Sequence, residues 1–137
     1  MASIFTKIIN HEIPAHIIYE DEATIAFLDI NPTQKGHTLV VPKEPFMNVF
    51  DGSPEAMGNL MAVATTLAPA IVNAVGAAGA NLIMNNGEAA GQEVMHAHLH
   101  IIPRFIDDGA ITISHSEDYH ENEAAALATQ ISATLED

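Results

Sequence analysis

Apolar and polar positions along the chain follow two different periods. In "HIIYED" (16–21) and "ATIAFLDI" (23–30), β-branched and aromatic residues gather around a polar stretch at Glu20–Ala23, which predicts two strands joined by a turn. "NPTQKG" reads as a loop by its Asn-Pro and Gly, and "HTLVVPK" as a third strand closed by Pro42. The period then changes. Met57, Leu60, Met61, Ala64, Leu67, Ala68, Ile71, Val72 and Val75 form one helical stripe, preceded by Ser53 as N-cap, Pro54 at the first helical position and Glu55 in the first turn. Pro69 falls on the opposite face and predicts a kink. "ANLIMN" follows as a fourth strand, "NGEAAGQ" as a loop, and "EVMHAHLHIIP" as a fifth strand. Residues 3–10 suggest a short helix or turn, and the segment beyond Arg104 a loop and a mostly exposed final helix.

This order predicts an α+β fold, an antiparallel sheet of about five strands crossed by one long helix. The 137 residues show no internal repeat or linker and read as a single domain over 1–137. The motif-bearing core spans 3–105 and a C-terminal extension spans 106–137. Composition changes the picture in three places. No cysteine is present, which excludes thiolate chemistry and a disulfide frame. Four Lys plus Arg against 18 Asp plus Glu give a net charge of −14, a surface that repels nucleic acid and anionic membranes. Between Glu55 and Glu88 no residue is charged, yet Pro69, Gly76, Gly79 and several Asn break the run, so a packed helix is expected rather than a membrane span. The N-terminal stretch has no basic lead and no long apolar run, so the cytoplasm is expected.

The candidate chemistry lies in "QEVMHAHLHII" (92–102), where His96, His98 and His100 occupy every second position. On a strand, alternate residues share a face, so the three imidazoles point together while Ala97, Leu99 and Ile101 face the core under the helix. Three readings compete: a polar strand face, a metal site built on alternate histidines, and catalysis at phosphorus. Upstream, Gly87 and Gly91 in "NNGEAAGQ" allow backbone N–H groups to point at an anion, which favours the third.

"HAHLHII" resembles the His-x-His-x-His signature of the histidine triad (HIT) superfamily, and the resemblance extends over "KIINHEIPAHIIYEDEATIAFLDINPTQKGHTLVVPK" and "NNGEAAGQEVMHAHLHIIPR". It is closest in character to the branch of nucleoside phosphoramidases and related bacterial proteins. The resemblance implies that His98 attacks the α-phosphorus of a purine nucleoside phosphate derivative, forming a nucleotidyl-histidine that water then hydrolyses. It implies that His96 and His100 orient the nucleophile and help the leaving group depart, with His37 as a fourth histidine. It gives Asp29 to the ribose hydroxyls, although an Asp before Asn-Pro can also simply start a turn. Asn85 and the Gly91–Val94 segment, including Gln92 and Glu93, match the phosphate-contacting region. Phe5, Ile8, Ile13, Phe27 and Ile30 are candidates for the base pocket, or for plain core. Bacterial relatives often hold a structural zinc through a Cys-x-x-Cys pair, a later His and the first triad histidine. Ser3, Thr6 and Pro45 stand at those positions here, so no metal and no cofactor are expected. Glu93 stands where eukaryotic phosphoramidases carry a serine, which leaves the leaving group open. A homodimer is implied. The alternatives are a nucleotide-binding regulatory protein and a dinucleoside polyphosphate hydrolase. His11, His16, His115 and His120 are expected at the surface.

Overall fold

The computed structural model describes residues 3–114 and 116–135; His115 lies outside the described residues. Helix α1 (Ile4–Ile9) leads into strands β1 (Ile17–Glu20), β2 (Thr24–Leu28) and β3 (Thr38–Pro42). Helix α2 (Pro54–Val75), β4 (Gly79–Ile83), a 3₁₀ turn at Glu88–Ala90, β5 (Leu99–Arg104) and α3 (Glu123–Thr134) follow. The five strands form one sheet in the order β1-β2-β3-β5-β4, and every neighbouring pair is antiparallel. β5 is thus inserted between β3 and β4, the two strands that α2 connects.

Alternation along the strands gives each face of the sheet its own core. Ala26, Val40, Leu99 and Ile101 face α2 and pack against Leu60, Ala64, Leu67 and Ile71 of its stripe. Ile25, Phe27, Leu39 and Val41 face the other way and pack against Phe5 and Ile8 of α1. α2 begins as its sequence predicts, with Ser53 Oγ accepting the Ala56 N–H at 3.0 Å and Pro54 in the first turn. It ends on Gly76, whose φ of 70° is the left-handed conformation that glycine adopts without strain. Pro69 sits on its exposed side, and the helix runs unbroken past it. By length and composition α2 is apolar enough to cross a membrane, but its stripe is one wall of the sheet's core. His11, His16 and His120 are exposed, and α3 carries no buried residue.

The fifth strand differs from expectation. The pattern predicts it from Glu93, whereas the ladder begins at Leu99, so His96 and His98 precede it. β3 and β5 pair Thr38↔Ile101, Leu39↔His100 and Val40↔Leu99. Continuing that register sets Pro42 against Ala97, and proline has no N–H for a ladder bond. The segment before Leu99 is held by side chains and by the Ala97 N–H, which donates to the Phe46 carbonyl at 2.7 Å.

Candidate active site

The four histidines meet on the α1 face of the sheet. His100, opposite Leu39 of β3, has its Nδ1 2.9 Å from His37 Nε2. The His98 and His100 ring centroids are 4.9 Å apart, edge to face, and Phe5 covers the His98 ring edge-on at 4.9 Å. The three triad rings therefore do gather on one side, although only His100 lies on regular strand.

Backbone partners fix the proton positions. The Thr33 N–H donates to His37 Nδ1 at 3.0 Å, so neutral His37 carries its proton on Nε2 and donates it to His100 Nδ1. The proton of neutral His100 is then on Nε2. The His98 Nδ1–H donates to the His96 carbonyl at 2.8 Å, which leaves His98 Nε2 as a bare lone pair. His96 Nε2–H donates to the Pro42 carbonyl at 2.9 Å, and its Nδ1 is 2.8 Å from Ser3 Oγ. Two adjacent imidazoles thus present opposite characters, a lone pair on His98 and an N–H on His100.

Neutrality at pH 7 follows from burial. Desolvation lowers the pKa of His37, His96 and His98, outweighing the Asp29 carboxylate near His37 and His98. His100, half-buried and beside His98 and His37, is pushed down to about 4 by desolvation and by those neighbours. The 3.7 Å approach of Asp29 Oδ2 to His37 Nε2 is accordingly not an ion pair at neutral pH. The unfolded chain binds protons near pH 6.5 where these rings resist them, so stability is full above about 6.5 and declines as pH falls toward 4. The 2.5-unit difference at His100 corresponds to about 3 kcal/mol at the acid limit. We expect a falling Tm between pH 7 and pH 4.5, with His100→Asn flattening the slope; equal slopes in the two proteins would contradict this origin.

The segment expected to meet phosphate has a built framework. Gln92, 3% exposed, donates through Nε2 to the Met47 and Val94 carbonyls at 2.7 and 3.0 Å. Its Oε1 accepts from Gly87 N–H at 2.9 Å and Asn48 Nδ2 at 3.1 Å. All its bonding capacity is spent inside the protein, so it shapes the loop rather than reaching a ligand. Gly87 and Gly91 turn at φ 97° and 93°, and Asn85 lies beside Gly91. The Gly91 and Gln92 N–H groups bond to Glu88 and Gly87 carbonyls, whereas those of Glu93 and Val94 have no acceptor among the described residues. The Glu93 side chain is exposed.

Asp29 Oδ1 accepts the Asn31 N–H at 2.9 Å, so the residue does shape the turn, with Oδ2 left for another donor. Phe5, Ile8 and Phe27 are buried together and Ile13 packs at their edge, but Ile30 is 77% exposed and stands apart. Its place after Asp29 in the turn keeps it off the sheet face. A cavity of about 620 Å³ is lined by Thr24, Pro42, Phe46, Ser53 and Asn59 among others, with no triad histidine in its lining. Its size reflects the gap between α2's first turn and the β3–α2 loop; the chemistry lies elsewhere.

Asp29, His37 and His100 bring three potential ligand atoms within 4.8 Å of one another, with His37 Nε2 and His100 Nδ1 bonded to each other at 2.9 Å. Around His96, the donors are the Ser3 and Thr6 hydroxyls, both its ring nitrogens are engaged, and Pro45 offers no side-chain donor. Ser3 Oγ and the Pro42 carbonyl are contacts that sequence reasoning missed. Ser3 lies in the segment read as a short helix or turn, where no local signal pairs it with a histidine 93 positions away.

Known proteins resemble this chain in sequence and in fold. The HIT domain family matches residues 10–107. An uncharacterized HIT-like protein of Methanocaldococcus jannaschii is 51% identical over 110 residues, covering 79% of this chain and 83% of its own. An adenosine 5'-monophosphoramidase of Schizosaccharomyces pombe is 35% identical over 136 residues, covering 98% and 99%. A crystal structure of a Streptococcus mutans UA159 protein superposes with a TM-score of 0.90 at 40% identity, covering 97% of this chain and 85% of that one.

Proposed function

Since the chain belongs to the HIT family, we propose that it is a nucleotide hydrolase acting on purine nucleoside phosphoramidates or related nucleoside monophosphate derivatives through a nucleotidyl-histidine at His98. The carrying observation is the tautomer set: a bare Nε2 on His98, held from behind by the His96 carbonyl, beside the Nε2–H of His100. His98 Nε2 forms a bond to phosphorus as the bond to the leaving amine breaks, and the amine departs with a proton drawn from solvent. The ring then carries a positive charge, which the His96 carbonyl stabilises through Nδ1–H. The His100 Nε2–H and the Glu93 and Val94 N–H groups stabilise charge on the phosphoryl oxygens and leaving atom. Water next attacks phosphorus, the P–Nε2 bond breaks, and His98 returns to its starting tautomer with one proton released to solvent. Asp29 Oδ2 is assigned to the ribose hydroxyls. Exposed Glu93 makes this reading tolerant of cationic or neutral leaving groups and hostile to anionic ones.

The relative named as an adenosine 5'-monophosphoramidase supports the substrate class. Rapid quenching with a labelled adenosine phosphoramidate, followed by mass spectrometry of the peptides, tests it: the label is expected on His98, and label on another residue or on none overturns it.

A second copy of the chain is the proposed partner. The β1 edge of the sheet carries a register irregularity between Ile17 and Tyr19, which discourages pairing, whereas β4 is a regular edge with Leu82 exposed. On the β1 side of the sheet, Leu67, Ala70, Ala74 and Val75 of α2 line an apolar depression of about 410 Å³ together with Ile18 of β1 and Leu28 of β2. Ala70→Arg is expected to convert a dimer to a monomer by light scattering at micromolar concentration; a monomeric parent protein would remove the proposal.

A further inference from the structure

The segment that carries the nucleophile is not secured by the sheet. His96 and His98 precede β5, and between Glu93 and His98 the backbone N–H of Ala97, which donates to the Phe46 carbonyl at 2.7 Å, makes the main-chain anchor. What fixes the rest is the His96 ring, 1% exposed and bound at both nitrogens. Pro42 provides a carbonyl and can only accept, so Nε2 carries the proton and Nδ1 must be given one by Ser3. The Ser3 hydroxyl is free to give it. Its oxygen already accepts the Thr6 N–H at 3.1 Å as the cap of α1, and Thr6 Oγ1 lies 3.2 Å away as a further donor.

We propose that Ser3 is a positioning residue for the nucleophile: its hydroxyl clamps the His96 ring between α1 and Pro42, and so holds the His96 carbonyl where it accepts the His98 Nδ1–H. Ser3 touches no reacting atom. It acts through His96, whose own ring has no nitrogen left for substrate and whose carbonyl sets the tautomer and aim of His98. The same turn of α1 places Phe5 against the His98 ring at 4.9 Å, so one helix start secures the neighbour's carbonyl and the nucleophile's flank together. α1 is thereby part of the catalytic apparatus and not only a lid on the second core.

The kinetic half of this proposal rests on the hydrolase reading, whereas the clamp itself can be read without turnover. Ser3→Ala, Ser3→Thr and Ser3→Asp are to be compared by ¹⁵N NMR of the imidazoles and by steady-state kinetics on an adenosine phosphoramidate. The aspartate keeps an acceptor for the Thr6 N–H, and hence the helix cap, but has no proton for His96 at neutral pH. For Ser3→Ala and Ser3→Asp, the His96 Nδ1 resonance should move, the His98 Nδ1–H should exchange faster, and kcat should fall about tenfold with KM within about twofold. Ser3→Thr should restore kcat and both signals. Unaltered His96 and His98 signals in Ser3→Ala overturn the proposal even if no substrate is turned over. So does a Ser3→Asp protein with the parent's kcat, which would reduce Ser3 to a helix cap.

Discussion

His98→Ala is expected to lower turnover of an adenosine phosphoramidate by on the order of 10⁴-fold or more, because the lone pair proposed to bond phosphorus is removed. Folding should survive. The His98 side chain makes one hydrogen bond, to the carbonyl of its near neighbour His96, and sits at the rim of the second core with 8% of its surface exposed. The substitution leaves that carbonyl and one ring-sized gap under Phe5, a loss of about 1–3 kcal/mol. Nucleotide affinity should change far less than turnover, since Asp29 and the Glu93–Val94 N–H groups are untouched. A folded alanine variant hydrolysing the substrate at the parent's rate would remove His98 from the mechanism. A parent protein that binds nucleotide tightly with negligible turnover would favour a regulatory binding protein instead.

The second large effect is on stability. Gln92→Ala is expected to destabilise the fold by about 3–4 kcal/mol in urea unfolding, a large share of the 5–15 kcal/mol typical of a domain. One amide joins four groups on three segments: the Met47 carbonyl, Asn48 Nδ2, the Gly87 N–H and the Val94 carbonyl. Asn48 is itself buried, so truncation strands donors and acceptors that water reaches poorly. Gln92→Glu serves as the chemical control. It retains an acceptor for Gly87 and Asn48 but turns a second oxygen toward the two carbonyls, so it should be no more stable than the alanine variant. If both variants unfolded within about 1 kcal/mol of the parent, the framework role of Gln92 would be wrong. Loss of the framework should also raise KM, because the N–H groups of Glu93 and Val94 proposed to meet phosphate follow directly from it in the chain.

Much of the fold was legible in the order of residues. The Ser53-Pro54 start, the stripe from Leu60 to Ile71 and the Gly76 stop are local signals, each acting within one or two helical turns, and the helix obeys them. The strands carrying Ile25, Ala26 and Phe27, and Leu39, Val40 and Val41, were legible from their β-branched and aromatic residues, and alternation along them sends side chains to the two cores. The triad's shared direction was readable for the same reason. The limit of β5 was not, since a ladder requires an N–H on the facing strand and Pro42 becomes the facing residue only after the register is set.

Sequence alone determined the family, the α+β architecture and the histidines on which the chemistry depends, because these are written in short-range periodicity and in residue identity. Tertiary structure decided which nitrogen of each imidazole bears a proton. That choice belongs to Thr33, Pro42 and the His96 carbonyl, groups whose side chains carry no signal and which fall within hydrogen-bonding range only after the strands have paired and α1 has docked. It also gave Ser3 a partner 93 positions away. A histidine motif states what could react; the surrounding backbone sets which atom is free to do so.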